Sequence, residues 1–241
     1  MVSIKDDRGY NQGFRLVKST EVRMQRRADW MYSEMSASEN KSILEIGCGT
    51  GEVSYWIAEK TSAQVHGTDF CVPFIEEARK KFQLPNLHYD ILDFNKLDQF
   101  KGEQFDYIIG NGILHHLFFH LDDALVNMKH LLKDGGKIIF IEPNYCNPYV
   151  YLIFTYARLR KFANLEPDEM AFSKSFIRKE LHRAGYEDIH VEYKDFLVPG
   201  VPDFLIRPSI IIGDVLEKIP LIKIISQSLF IHATKHGNGI V

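Results

Sequence analysis

A glycine-rich segment and two adjacent histidines are the parts of this sequence whose residue types could do chemistry. Gly47, Gly49 and Gly51 are each separated by one residue. Glycine has no Cβ, so a ligand can approach its backbone closely and receive hydrogen bonds from N–H groups. His115 and His116 follow an apolar run, and an imidazole can take up or release a proton near neutral pH. The sequence therefore predicts a ligand-binding turn and a site for proton transfer.

The residues around the glycines indicate an adenosine-containing cofactor other than a dinucleotide. Glu52 stands where the dinucleotide pattern G-x-G-x-x-G has its third glycine, because here the third glycine is Gly51. Glu45, just before the turn, would repel a pyrophosphate and attract a cationic amino-acid group. Asp69 lies about 20 residues further on, at the end of the next predicted strand, where a carboxylate can accept both hydroxyl groups of a ribose.

Short apolar runs alternate with helical patterns along the chain, which is typical of parallel βαβ units and predicts an α/β fold. The glycine turn joins the first predicted strand, Ser42–Ile46, to a helix over 51–61. A later helix, from 121 onwards, is predicted to end at a turn over 134–136. The other strands are predicted at 64–68, 87–92, 105–111 and 137–142, with a late antiparallel pair at 189–197 and 228–235.

These segments resemble the motifs of the class I S-adenosylmethionine-dependent methyltransferases, and the resemblance extends from residue 42 to residue 235. The segment 44–51 is similar to the family's first motif, which holds the methionine part of the cofactor, and Asp69 matches the residue that binds the ribose. Asp93 matches an acid near the adenine, for which Asp90 is an alternative. Asn111 ends a segment similar to the fourth motif, which faces the methyl group.

The resemblance implies a fold, a cofactor and a binding site. The fold is a Rossmann-like, mostly parallel sheet of seven strands in the order 3-2-1-4-5-7-6, with strand 7 antiparallel and helices on both faces. The cofactor is S-adenosylmethionine. The residues predicted to bind it are Glu45, Gly47, Cys48, Gly49, Gly51, Asp69, Phe70, Asp93, Phe94 and Asn111.

Catalysis is expected in the loop after the fourth predicted strand, at the edge of the sheet where open α/β folds bind ligands. Some small-molecule O-methyltransferases of this family use a similar histidine pair, with an acid ending the fifth strand; His115, His116 and Glu142 match these positions. The histidines could instead pack beside the cofactor, and Glu142 could pair with a lysine. A metal site formed by the two histidines with His120 and Asp122 lacks the usual ligand spacing, so no metal is expected.

Composition and charge limit the compartment and the partners. The 241 residues are 45% hydrophobic and 25% charged, which is typical of a globular domain. The net charge of −3 and the lack of an Asn/Asp-Pro-Pro-Tyr/Phe element disfavour nucleic acid as a partner. Three scattered cysteines do not suggest a disulfide framework, and neither an export signal nor a transmembrane run is apparent. A cytoplasmic protein is therefore expected.

Acceptor recognition is expected in the parts outside the cofactor motifs. A single domain is predicted over 1–241, with an N-terminal helical cap at 1–40, a cofactor-binding core at 41–142 and substrate-side insertions at 143–172 and 198–226. The first insertion is aromatic and ends in Arg158, Arg160 and Lys161. It could form a lid over a lipophilic or aromatic acceptor that carries an anionic group, a core helix or a peripheral contact with an anionic membrane, and either insertion could form a homodimer interface. In the cap, Tyr10 or Arg15 could touch the cofactor, or the arginines could form a solvated basic face.

The predicted function is methyl transfer to a small-molecule acceptor, at a hydroxyl group of a lipophilic or aromatic metabolite, with histidine as the general base. Transfer to nitrogen is an alternative, since it depends less on a base. A second alternative is a regulatory protein that binds the cofactor without turnover. A nicotinamide-dependent oxidoreductase is disfavoured by the glycine spacing.

Overall fold

The computed structural model describes residues 17–35, 40–93 and 103–236. The strands are β1 (Ser42–Ile46), β2 (Gln64–Asp69), β3 (Leu87–Ile91), β4 (Phe105–Asn111), β5 (Leu132–Pro143), β6 (Tyr186–Lys194) and β7 (Ser228–Lys235). The helices are α1 (Lys18–Glu34), α2 (Glu52–Lys60), α3 (Val72–Lys81), α4 (Leu121–Leu131), α5 (Pro148–Thr155), α6 (Ala157–Phe162), α7 (Lys174–Arg183) and α8 (Asp203–Leu216). Short 3-10 helices lie at Leu114–His120 and Lys223–Ile225.

The strands form a sheet in the order β3-β2-β1-β4-β5-β7-β6. Strands β1 to β5 pair in parallel, and β7 runs antiparallel to both β5 and β6. This arrangement confirms the predicted strand order and the single antiparallel strand. It also confirms the late pair, with β6 at the edge of the sheet.

Alternation along the central strands places helices on both faces of the sheet. Ile108 and Ile138 point into a buried cluster with α4 and α7. Their neighbours Ile109 and Ile139 point into a second buried cluster with α1, α2 and α3. Successive side chains of a strand face opposite sides, so a continuous apolar run is what a strand covered on both faces requires.

The turn predicted at 134–136 lies inside β5 rather than between α4 and β5. Leu132 already pairs with Phe105, and the next pair along β4 joins Lys137 to Tyr107. The residues between them bulge out of the ladder, and one glycine in this bulge has a φ of +75°. The prediction of a helix end at these glycines is therefore wrong, because they mark an irregularity within β5.

Side-chain caps mark the start of α5, in the first predicted insertion, and of α7, which follows that insertion. The Ser173 hydroxyl accepts the N–H of Phe176 and caps α7. The Asn147 side chain caps α5 in the same way, and Pro148 opens that helix. In the described part of the chain, no helix is both long and apolar enough to cross a membrane.

Candidate active site

The glycine turn joins β1 to α2 at the carboxyl edge of the sheet. Gly47, Gly49 and Gly51 have φ values of +68°, +55° and +87°. A Cβ at Gly47 would lie 2.7 Å from Cδ1 of Ile113, and one at Gly51 would lie 2.6 Å from the hydroxyl oxygen of Tyr89. A Cβ at Gly49 would meet nothing within 4 Å. The first and third glycines are thus required by packing, whereas the second exposes its backbone to space that a ligand can fill.

Asp69, at the end of β2, is held against this turn. Its carboxylate accepts the N–H of Gly49 at 2.9 Å through Oδ2 and the N–H of Cys71 at 2.8 Å through Oδ1. Phe70 follows as an exposed aromatic side chain. The acid and the turn predicted to share one ligand are therefore adjacent.

The acid predicted to lie near the adenine follows β3. The N–H of Leu92 donates to the carbonyl of Asp69 at 3.0 Å, which brings the partly buried Asp93 next to the end of β2. Asp90, the alternative acid, is exposed on β3 itself. Phe94 lies outside the described residues.

Glu45 lies on β1 directly before the turn and is 1% exposed. Burial raises the pKa of this carboxyl group from its usual 4.5 to about 7, while the hydrogen bond from the Ser54 hydroxyl opposes the rise. Burial likewise raises the pKa of the Cys48 thiol in the same turn. A cation bound near Glu45 would favour its ionised form.

Glu52 occupies the position of the third dinucleotide glycine and is buried. It accepts a hydrogen bond from Thr50 at 2.6 Å and pairs with Lys81 at 2.8 Å. Acidic side chains therefore lie around the turn. They would repel a pyrophosphate, which is anionic and needs hydrogen-bond donors. These residues fit a cofactor that has a ribose and a cationic methionine group.

The carboxylate of Glu142, at the end of β5, organises the loop after β4. Its Oε1 accepts the backbone N–H groups of Ile113 at 3.1 Å and Leu114 at 2.8 Å. Its Oε2 accepts the backbone N–H of His115 at 3.2 Å and lies 2.8 Å from Nδ1 of the same residue. Glu142 is fully buried, so these contacts fix the histidine ring.

Two further acids face the histidines. Nε2 of His115 lies 3.9 Å from Glu169, and Nδ1 of His116 lies 3.4 Å from Glu169 and 3.6 Å from Glu166. Burial alone would lower the pKa of His116, but Glu166 and Glu169 outweigh it and raise the pKa above its usual 6.5. The second histidine is thus held as a cation more readily than the usual imidazole.

The Arg160 guanidinium forms hydrogen bonds with the segment that carries these acids. Its Nη2 donates to the carbonyls of Glu166 at 2.6 Å, Pro167 at 3.0 Å and Glu169 at 3.0 Å, and its Nη1 donates to Phe154 at 2.9 Å. The guanidinium that the sequence suggested for an anionic acceptor group therefore binds carbonyls of its own chain.

Among the described residues, one His/Glu group could hold a metal ion. Ligand atoms of His115, His116 and Glu169 lie within 4.8 Å of one another. Two imidazoles and a carboxylate form a donor set that transition metals accept. His120, which the sequence suggested as a partner, is exposed at the end of the 3-10 helix and lies outside this group.

The cofactor turn and the histidine loop are in direct contact, because Gly47 packs on Ile113. At the end of β4, Asn111 accepts a hydrogen bond from Arg27 of α1 at 2.8 Å. A cavity of about 300 Å³ lies between α1 and α8, and its walls include Trp30 and Phe230. The predicted residues thus lie along one edge of the sheet, beside a partly aromatic cavity.

Residues 44–138 match the family model of the methyltransferase domain. This segment contains the glycine turn, Asp69, Asn111 and both histidines. This match supports the predicted class I S-adenosylmethionine-dependent methyltransferase family. The predictions of family, fold and S-adenosylmethionine as cofactor are confirmed at this level.

Two relatives and one solved structure are similar to this chain in sequence or in fold. It is 28% identical over 180 residues to the ubiquinone/menaquinone biosynthesis C-methyltransferase UbiE of Desulfotalea psychrophila, covering 65% of this chain and 69% of the relative. It is 28% identical over 193 residues to the lovastatin diketide synthase lovF of Aspergillus terreus, covering 69% of this chain and 8% of the synthase. A solved S-adenosylmethionine-dependent methyltransferase from Mesorhizobium loti has the same fold, with a TM-score of 0.62, 19% identity, and coverage of 86% of this chain and 97% of that one.

Proposed function

We propose that this methyltransferase transfers a methyl group from S-adenosylmethionine to a hydroxyl group of a small lipophilic or aromatic molecule, with His115 as the general base. The observation that supports this most directly is the contact of 2.8 Å between Nδ1 of His115 and the buried carboxylate of Glu142. When bound, the cofactor supplies an electrophilic methyl group on a sulfonium sulfur. The protein must then align the acceptor and remove its proton.

The hydrogen-bond partners of Glu142 support a separate role for each ring nitrogen of His115. Three backbone N–H groups already donate to this carboxylate, so both of its oxygens act as acceptors. An ionised carboxylate only accepts hydrogen bonds, so Nδ1 of His115 carries a proton and Nε2 keeps its lone pair. When the acceptor O–H gives its proton to Nε2, the imidazolium that forms is stabilised by Glu142.

Glu169 and His116 complete the polar side of the site. Glu169 lies close enough to Nε2 of His115 to attract the transferred proton. The raised pKa of His116 favours its protonated form, which would be a cation beside the same carboxylate. Of these two groups, the protonated His116 can stabilise the negative charge that develops on an acceptor oxygen as its proton leaves.

Carbon is a second candidate for the methylated atom. The relative UbiE is named a C-methyltransferase, and an activated carbon must also lose a proton when it gains a methyl group. His115, supported by Glu142, could remove that proton as well. Transfer to a neutral amine would depend less on His115, and a non-catalytic protein would not need the dyad.

Activity of a His115→Ala variant tests the proposal. Hydroxylated aromatic and quinol acceptors would be screened with methyl-labelled S-adenosylmethionine, and the product identified by NMR as an O-methyl or C-methyl compound. We expect kcat/KM to fall by about 10²- to 10⁴-fold in the variant, because the general base is missing. The affinity for S-adenosylhomocysteine, measured by calorimetry, should not change.

His120→Ala is the matched control, because His120 is exposed and lies in the same loop. An equal loss of activity in both variants would contradict the assigned role of His115. Cofactor binding without transfer to any acceptor would favour the regulatory alternative. Absence of cofactor binding by the wild-type protein would refute the proposed activity.

A further inference from the structure

Helix α8 is apolar on the face that points outward as well as on the face that packs inward. Ile206 and Gly213 are buried, whereas Phe204 is 79% exposed and Ile211 and Val215 are also exposed. The exposed residues recur at helical spacing, so they form a continuous stripe along one side of the helix. A surface helix ordinarily carries polar residues there.

A second set of exposed apolar residues lies on α5, α6 and the segment that follows α8. The side chain of Asn147, which caps α5, donates to the carbonyl of Ile225 at 2.6 Å, and that of Asn144 donates to Ile224 at 2.8 Å. The start of α5 therefore lies against the segment that follows α8. We call the exposed apolar residues of these elements the apolar patch: Tyr149, Tyr151, Leu152, Tyr156, Leu159, Phe162, Phe204, Leu205, Ile211, Ile212, Val215, Ile219, Leu221, Ile224 and Ile225.

The charges around the patch are mainly basic, although the whole chain has a net charge of −3. The segments 149–162 and 203–225 contain six basic residues and three acidic ones. Two of the acids are engaged with other elements: Asp214 pairs with Arg26 at 2.7 Å, and Glu217 accepts the N–H of Asp195 at 2.7 Å. The third, Asp203, is exposed at the start of α8. The exposed basic residues are Arg158, Lys161, Arg207, Lys218 and Lys223.

We propose that the apolar patch docks on the surface of an anionic lipid membrane, with α8 lying in the interface. Aromatic and aliphatic residues next to exposed cations are what such a surface binds. A second copy of this chain is less suitable as a partner, because a two-fold contact through the same patch would bring like charges together. The proposal depends neither on the acceptor nor on methyl transfer.

Co-flotation with vesicles tests the proposal on the full-length chain. One set of vesicles contains phosphatidylglycerol and phosphatidylcholine, and the other contains phosphatidylcholine alone. We expect binding to the anionic set, weakened by added salt. The triple variant Phe204→Ser, Ile212→Ser, Leu221→Ser should reduce the bound fraction by about tenfold or more, because buried apolar area provides much of the affinity.

Matched controls distinguish docking through the apolar patch from non-specific adsorption to vesicles. Phe119→Ser removes a 63% exposed aromatic side chain outside the patch, and Lys80→Gln removes an exposed cation of α3. Both should leave vesicle binding unchanged, whereas Arg207→Gln with Lys218→Gln should weaken it. Unchanged S-adenosylhomocysteine binding and thermal unfolding would show that each variant folds.

Three results would overturn the proposal. The first is no binding of the wild-type protein to anionic vesicles. The second is a dimer in light scattering that the triple variant dissociates, since the patch would then bind a second copy. The third is equal loss of vesicle binding in the patch variants and in Phe119→Ser.

Discussion

Glu45 shows how burying one side chain can couple proton uptake to stability. Its pKa is raised from 4.5 to about 7 by burial, although Ser54 opposes the rise. The folded state therefore holds this proton more tightly than the unfolded state does. The stabilisation is fully present below the unfolded pKa and is lost as the pH rises through about 7.

Replacing Glu45 by glutamine should remove this loss. We expect the free energy of unfolding of the cofactor-free protein to fall between about pH 4.5 and pH 8, by up to about 3 kcal/mol from this group, and Glu45→Gln to flatten that part of the profile. Urea unfolding at a series of pH values measures it. Glu76→Gln, on the exposed side of α3, is the control. Parallel profiles for wild type and Glu45→Gln would contradict the assignment.

The histidines and the glutamate that could bind a metal, His115, His116 and Glu169, are also residues to which we assign parts in proton transfer. If His115 acts as a free base, removing metal ions with EDTA should leave kcat unchanged. Added Zn²⁺ should inhibit, because it would occupy Nε2 of His115. Steady-state rates before and after dialysis measure this. Loss of activity on chelation, restored by Zn²⁺, would replace the base by a metal-dependent mechanism.

At the scale of elements, the Arg160 side chain helps to position the segment after α6. Arg160 donates to three carbonyls of the segment that carries Glu166 and Glu169, and the Met170 N–H of the same segment donates to the carbonyl of His115 at 3.1 Å. Without the Arg160 bonds, the two acids would be held less firmly opposite the histidines. The position of a loop thus depends on a residue of the preceding helix.

Arg160→Ala should therefore lower kcat by about tenfold or more, since misplacing catalytic groups is costly even when they remain present. The affinity for S-adenosylhomocysteine should not change, and the raised pKa of His116 should fall in an NMR titration because Glu166 and Glu169 move away. Arg158→Ala, an exposed residue of the same helix, is the control. An unchanged His116 titration in Arg160→Ala would refute the positioning role.

The elements could be predicted from the sequence, whereas several of their contacts could not. Alternation of apolar runs is a local signal, and it located all seven strands of the sheet to within a few residues except at the bulge in β5. The glycine turn and the pair His115 and Glu142 carry motif signals. Glu166 and Glu169 carry none, because their place opposite the histidines depends on a loop held by Arg160.

At the scale of the whole molecule, a buried ion cluster fastens α1 to the sheet. Asp195, after β6, accepts hydrogen bonds from Arg23 at 2.6 Å and Arg27 at 2.7 Å. Arg27 also bonds Ser228 of β7 and Asn111 of β4. Burial and the neighbouring Arg27 lower the pKa of Arg23 to about 10, although Asp195 opposes the fall. Sequence patterns could not predict this cluster, because its members are far apart in the chain.

Asp195→Asn should destabilise the protein by about 3–5 kcal/mol, because it leaves two buried guanidinium groups without their counter-charge. Asp214→Asn is the matched control. Asp214 pairs at an exposed position with Arg26, which lies on α1 like Arg23 and Arg27. Its cost should be below about 1 kcal/mol. Urea unfolding measures both, and equal costs would show that the cluster is not a buried unit.

The way in which Glu142 is held has a consequence for how this site could change its chemistry. Three of its four hydrogen bonds come from backbone N–H groups, which every residue except proline supplies. The carboxylate therefore keeps these three bonds with any residue other than proline at position 115. Evolution, or a laboratory library at this position, can exchange the base for another functional group while the loop keeps its shape. Reactivity and foldability are thus largely separate properties at this position.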